Sequence, residues 1–181
     1  MKDFKTVKET RVSLTELMLP SHSNFGGKVH GGYILNLMDQ IAFACASKHS
    51  QSYCVTASVN RVNFLNPIEV GELVTLKASI NYTGKTSMVV GVRVESENIT
   101  TGKRKHCNSS YFTMVAKDGE GNNIRVPGLL IEDADSVRRF ARSKFYKEQA
   151  HDRGNKFERK GFDITEYLPL IEGENVSLKL R

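Results

Sequence analysis

Apolar and polar positions alternate in several separate stretches of this chain and take helical spacing in one. Residues 10–18 (TRVSLTELM) alternate as a half-buried strand does, and Pro20 with Ser21, His22 and Ser23 then breaks the pattern. Gly26, Gly27, Gly31 and Gly32 lead into YILNLMDQIAFACASKH, where Ile34, Leu37, Met38, Ile41, Ala42 and Cys45 recur at helical spacing and further apolar residues fill the other sides. A helix apolar nearly all round is wrapped by other structure, not laid on a surface. Spanning about 31–48, it would be roughly 27 Å long at ~1.5 Å per residue.

Four strand-like runs follow, at 54–64, 73–82, 86–97 and 105–116, the third with Met88, Val90, Val92 and Val94 in clean alternation. Pro67 and Gly71, then Thr83-Gly84-Lys85, then Thr100-Thr101-Gly102 separate them at hairpin length, which predicts an antiparallel meander. Pro127 and Gly128 lead to an acidic helix start at Glu132, Asp133 and Asp135, suited to the positive end of a helix dipole, and that helix should run to about 150. The last thirty residues lack strong periodicity. The pattern predicts an α+β fold: a bent antiparallel sheet of five or six strands wrapped around a long central helix, with a C-terminal helix. It divides into a domain at 8–130 and a basic helix with tail at 131–181.

Composition narrows the class. At 181 residues, 39% hydrophobic and 25% charged, the chain suits one folded domain and excludes global disorder. It lacks the roughly 18 uninterrupted apolar residues of a membrane span. A charged beginning (MKDFKTVKETR) and three cysteines without ligand spacing predict a reduced, cytoplasmic protein with no metal. The net charge of +6 is local: between 138 and 160 there are nine bases and three acids, so the remainder is neutral. Such a segment is either a solvated helix and tail or a contact for an anionic partner.

Asp39 is the anomaly of the central helix. Aspartate is a poor helix-interior residue, and burying its charge unpaired costs several kcal/mol, so it either faces solvent or has a task. His30, Gly31 and Gly32 stand where the helix begins, where amides lack intrahelical acceptors and the dipole favours negative charge; an open amide there can serve an oxyanion. Eight residues separate Gly31 from Asp39, about 12 Å along a helix, too far to grip one carbonyl together. If they cooperate, Asp39 of one chain meets Gly31 of another, as in an isologous pair with antiparallel helices.

The ordered set Asn24, His30-Gly31-Gly32, Asp39, then Thr56-Ala57-Ser58-Val59, with Asn63-Phe64 and the Gly84 to Met88 turn, resembles the hotdog-fold acyl-CoA thioesterases. It is most similar to the acyl-CoA hydrolase branch that includes brain acyl-CoA hydrolase and the bacterial YciA-type enzymes. The similarity covers roughly Leu14 to Val115. The resemblance implies hydrolysis of acyl-CoA to a fatty acid and coenzyme A, with no cofactor and no metal. It implies Asp39 as base or nucleophile, Asn24 orienting water or the carbonyl, and Gly31 polarising that carbonyl. His30 would support Asn24 and its loop, and Ser58 would help to hold water. Gly32, Thr56, Ala57 and the turn Gly84, Lys85, Thr86 and Ser87 would contact the substrate or its coenzyme A part, with Arg142 and Lys144 as candidates for its phosphates. It further implies a homo-oligomer, at least a dimer and by family a trimer of dimers. The rivals are an acyl-CoA-sensing hotdog protein whose basic helix touches nucleic acid, and a hotdog hydratase, which would need a catalytic His-Asp or His-Glu arrangement. No helix-turn-helix pattern supports nucleic-acid binding.

Overall fold

The computed structural model describes residues 4–156 and 168–170. The chain forms two compact units, Met1–Lys147 and Glu148–Arg181. Within the second, the described residues are the helical end through Lys156 and a 3-10 turn at Leu168–Leu170. Arg159 and Lys160, the end of the basic run, lie outside the described residues.

The first unit contains β1 (Phe4–Thr6), α1 (Val7–Thr10), β2 (Val12–Leu17), α2 (Gly31–Ser50), β3 (Tyr53–Val59), β4 (Glu72–Thr83), β5 (Ser87–Asn98), β6 (Arg104–Lys117) and β7 (Gly128–Leu130). Helix α3 begins at Ala134 and continues to Lys156, beyond the expected end near 150. β2, β4, β5, β6 and β3 form one antiparallel sheet in that order, while β1 and β7 make a separate short parallel pair. Only β4, β5 and β6 form the expected meander. β3 pairs with β6 at the far edge rather than with β4. Its strand stops at Val59, and the chain from there to Glu72 crosses to the other side of the sheet. Pro67 and Gly71 punctuate a crossover, not a hairpin.

Three breaks in register bend the sheet, at Thr56/Ser58, Ile80/Tyr82 and Val94/Glu95. Each adds a residue on one strand and increases the local twist. α2 lies in the resulting trough. Ile34, Leu37, Met38, Ile41, Ala42, Cys45 and Ala46 are buried there with Leu76, Ile80, Val90, Phe112 and Met114 of the strands. Full burial of a side chain such as Met38 contributes about 1.5–3 kcal/mol. The helix is less apolar round its circumference than the sequence, read as apolar on nearly every side, suggested. Gly32, Asn36, Asp39, Gln40 and Phe43 form an exposed flank, because the sheet wraps only part of the circumference. The curled sheet around one long helix is the arrangement that the resemblance implies.

Candidate active site

α2 starts at a built corner. His30 caps the helix, its Nδ1 accepting the Gly32 amide at 3.0 Å, while its own amide donates to the His22 carbonyl at 2.8 Å. The Gly32 amide is therefore occupied within the chain. That of Gly31 meets no acceptor among the described residues, and its α-carbon sits so near Phe64 that an added Cβ would lie 3.2 Å from the ring. Glycine keeps this approach open.

The preceding loop is fixed rather than slack. Asn24 accepts the amides of Gly26 (2.9 Å) and Lys28 (3.3 Å) through Oδ1, which leaves its NH2 group as the part able to engage another molecule. Gly27 has φ of 75°, a conformation that favours glycine, and its amide closes a turn onto the Asn24 carbonyl at 3.0 Å. This accounts for the extra glycine pair in the sequence. Lys28 pairs with Glu69 at 2.6 Å, and Val29 donates its amide to the Ile68 carbonyl at 2.9 Å. His30 supports this loop through His22 and not by touching Asn24. His22 in turn stacks on Tyr33 with ring centroids 4.0 Å apart, and the Tyr33 hydroxyl donates to Glu16 on β2. Sequence spacing gave no sign of this His22–Tyr33–Glu16 brace.

Asp39 stands two turns further along, on the exposed flank. Its Oδ1 accepts the Thr56 hydroxyl at 2.6 Å. Thr56 lies on β3 just before the bulge, where Thr56 pairs with Met114, Ser58 with Thr113, and Ala57 is the extra residue. Thr56, expected only as a substrate contact, is thus the strand hydroxyl that meets the carboxylate. Ser58 is exposed beyond the bulge. An edge-to-face pair, Phe43 with Tyr53, flanks the carboxylate.

These groups occupy two separate hollows. Asn24, Gly31, Ile34 and Phe64 line one of about 410 Å³, while Asp39, Gln40, Phe43 and Thr56 line another of about 570 Å³. No residue is common to both, in agreement with the distance along α2. The sequence-predicted site therefore consists of two halves within one chain: helix start and loop in one place, carboxylate and threonine in another.

The turn Gly84–Ser87 is closed by the Gly84 amide on the Ser87 carbonyl at 2.7 Å, and the carbonyls of Lys85 and Thr86 accept the amides of Val126 and Ala116. Ser87, Val115 and Val55 lie in one row across three strands. Two strand spacings of roughly 4.8 Å place the turn about 10 Å from β3, at the Asp39 end of the sheet. Lys147 of α3 donates to Ser87 Oγ at 3.1 Å and lies 4.9 Å from the centre of the Tyr82 ring. The sequence showed Lys147 only as one base among many.

Cys45 is packed in the core, its thiol pushed up to about 12 by burial, which suits no nucleophile. Among the described residues no group of three His, Cys, Asp or Glu side chains is placed to hold a metal. No helix among them is long and apolar enough to cross a membrane.

Comparison with known proteins agrees with this architecture. Residues 26–103 match the Thioesterase superfamily. The chain is 41% identical to Protein VdlD of Helicobacter pylori over 75% of this chain and 77% of that one. It is 33% identical to the uncharacterized acyl-CoA thioester hydrolase YkhA of Bacillus subtilis, over 72% of this chain and 76% of that one. A solved apo-hexameric acyl-CoA thioesterase superposes with a TM-score of 0.83 at 34% identity, covering 87% of this chain and all of the other (100%). An acyl-CoA hydrolase from Staphylococcus aureus, solved with butyryl coenzyme A, coenzyme A and coenzyme A disulfide, gives 0.78 at 29% identity over 92% and 99% of the two chains. Further structures of that enzyme carry alanine in place of an asparagine, an aspartate and a threonine. In order along that chain these stand 15 and 17 positions apart, the intervals that separate Asn24, Asp39 and Thr56.

Proposed function

The chain belongs to the hotdog-fold thioesterase superfamily, and from that membership we propose that it hydrolyses acyl-CoA thioesters to a free carboxylic acid and coenzyme A. The observation that carries the reading is the Asp39 carboxylate held at 2.6 Å by Thr56, set apart from a helix start whose Gly31 amide meets no acceptor among the described residues.

A thioester carbonyl is already electrophilic and its thiolate leaves readily, so a base and one or two oxyanion donors suffice. Asp39 takes a proton from water as the water oxygen bonds to the carbonyl carbon. The Gly31 amide steadies the resulting oxyanion, and the Asn24 NH2 group orients the water or the carbonyl. The carbon–sulfur bond then breaks, and the departing thiolate of coenzyme A takes up a proton. Asp39 can instead attack the carbonyl itself, giving an anhydride that water opens. Thr56 fixes the carboxylate rotamer in either course, and Ser58 and the bulged Ala57 border the water's approach. His30 holds the cap that leaves Gly31 open, and Gly32 is its partner. Gly84, Lys85, Thr86 and Ser87 receive the coenzyme A arm at the rim.

The two half-sites join when two copies pair through the exposed flank of α2, with helices side by side and antiparallel. Asp39 of one copy then faces Asn24 and Gly31 of the other, twice per dimer. The exposed Phe43, Tyr53 and Val59 supply apolar area for that contact. A trimer of such dimers follows the hexameric relative. The experiment is release of free thiol from acyl-CoA substrates of graded chain length. Turnover by the wild-type chain and its collapse in Asp39→Asn, with assembly intact, are expected. Near-wild-type hydrolysis by Asp39→Asn would overturn the assignment.

A further inference from the structure

Strand β2 breaks its own pattern at Glu16. Val12, Leu14 and Glu16 alternate onto its inner side, and Val12 and Leu14 pack against the core, yet the third position carries a carboxylate. Burying part of a charge costs free energy unless a partner offsets it. The partner is the hydroxyl of Tyr33, from the first turn of α2, which donates to Glu16 Oε1. That bond, together with burial and the charge of Glu16, pushes the Tyr33 hydroxyl above its usual phenol value, so it stays a donor near neutral pH. An apolar pair at these two places would pack without the cost of desolvating a charge, so stability does not account for this one.

From Tyr33 the contacts lead to both sides of the Asn24 hollow. His22, the last residue of the 3-10 turn Pro20–His22, stacks on the Tyr33 ring with the two planes 19° apart. Its Nδ1 accepts the Leu19 amide at 3.3 Å, so the ring hydrogen stands on Nε2, which lies 4.0 Å from the same Glu16 oxygen. The imidazole is thereby held on three sides, and its own backbone carries that position inward. The His22 carbonyl takes the His30 amide at 2.8 Å, and His30 is the cap that occupies Gly32 and leaves Gly31 open. On the other side Ser23 bridges to Val29, and Asn24 is the next residue. A shift of the His22 ring therefore moves the Gly31 amide and the Asn24 side chain relative to each other.

We infer that Glu16, Tyr33 and His22 are positioning residues of the thioester site, setting the distance between the Gly31 amide and the Asn24 NH2 group. The inference rests on the hydrolytic reading and adds to it. None of the three lines the hollow that holds Asn24 and Gly31, so they act through those residues and not on substrate within it. Two donors serve one oxyanion only when both are aimed at the place it will occupy, and a misplacement of about 1 Å can cost on the order of 100-fold in rate. The brace fixes that aim from β2, an element outside the hollow. Its loss appears in kcat, with KM near the wild-type value, because the aim matters where charge develops and not where substrate first binds.

Steady-state thiol release from acyl-CoA and thermal unfolding, both on the full chain in its native assembly, test this. Tyr33→Phe keeps the stacked ring and removes only the hydroxyl; kcat should fall about tenfold with KM unmoved. Glu16→Ala should lose as much, while Glu16→Gln, whose amide oxygen still accepts the hydroxyl, should recover most of the rate. His22→Ala, which removes the stacked ring, should lose at least as much as Tyr33→Phe. Tyr33→Phe combined with Glu16→Ala should be no slower than the slower of the two, since both remove one link. Should Tyr33→Phe fold poorly, Glu16→Ala against Glu16→Gln reads the same link from β2. An unmoved kcat in Tyr33→Phe, Glu16→Ala or His22→Ala, even with a lowered Tm, overturns the inference and leaves the hydrolytic reading intact. So does a Glu16→Gln chain as slow as Glu16→Ala. A wild-type chain that splits no acyl-CoA overturns both.

Discussion

Thr56 and Asp39 are joined across 2.6 Å although one belongs to an edge strand and the other to the central helix. The threonine hydroxyl also lies 3.5 Å from Met114 Sδ, a weaker acceptor that competes for its one proton from the sheet side. A carboxylate held in this way keeps one oxygen engaged and the other available. Thr56→Ala should lower kcat by about tenfold with little change in fold, while Thr56→Ser, which retains the hydroxyl, should recover most of the rate. Asp39→Asn should cost about 10²–10⁴ in kcat, the usual range for a general base. Steady-state thiol release separates the three, and a Thr56→Ala chain as fast as wild type would remove threonine from the site.

The separation of the two hollows makes a sharper demand. Asn24→Ala and Asp39→Asn chains should each be nearly inactive alone. Mixed and allowed to exchange partners, they should form hybrid dimers in which one site is whole and the other doubly defective. Random pairing of equal amounts gives half hybrids, hence about a quarter of wild-type activity. Activity no greater than the mean of the two variants would place all the groups in a single chain.

Gly31 is limited by Phe64, not by its own backbone. A methyl group there would lie 3.2 Å from the Phe64 ring, which is itself about half exposed and can give way. Gly31→Ala should therefore fold with a Tm within a few degrees of wild type yet lose at least tenfold in kcat, through displacement of the amide. Adding Phe64→Leu should restore part of the loss. A Gly31→Ala enzyme with unchanged kcat would show that this amide polarises nothing.

His49 gives the fold an acid sensitivity. It is fully buried, with Nε2 against the Pro127 carbonyl at 3.0 Å and Nδ1 without a partner among the described residues. Burial holds its affinity for a proton below the ordinary 6.5, Lys5 adds to that, and the Pro127 bond and Glu9 oppose it. The unfolded chain takes up the proton near 6.5 and the folded one does not. Stability is thus full above that pH and falls below it, at about 1.4 kcal/mol per pH unit until the folded value is reached. Tm measured from pH 7.5 to 5.0 should fall more steeply for the wild type than for His49→Gln. Parallel curves would assign the acid sensitivity elsewhere.

Much of this architecture is legible in local sequence. The helix begins at Gly31 as expected and ends at Ser50, two residues past the predicted limit, and β4, β5 and β6 lie within a residue of the alternating runs. Alternation and loop length act over neighbours, and a short turn commits its strands to each other. The place of β3 was not legible, because its paired residues on β6 stand more than fifty positions away in the chain, and no local pattern states which edge a strand will join. The same limit hid the exposed flank of α2: counting apolar residues overlooks how far round a sheet will reach. In the candidate site, Gly31 and Asp39 stood out by residue type and place on the helix, and Asn24 entered through the family resemblance. The bond from Thr56 to the carboxylate was not, since it depends on how β3 bulges at Ala57 beside the helix. Likewise the basic run read as a possible partner surface, while Arg138, Arg139 and Arg142 of it line a cavity over the sheet.

The parting of loop and carboxylate into hollows with no residue in common has a further consequence. On the proposed pairing, a newly made chain is latent: it carries every reactive group and can split nothing until it meets its twin. Specific activity then falls on dilution below the dimer's dissociation constant, and concentration itself becomes the switch that turns the enzyme on.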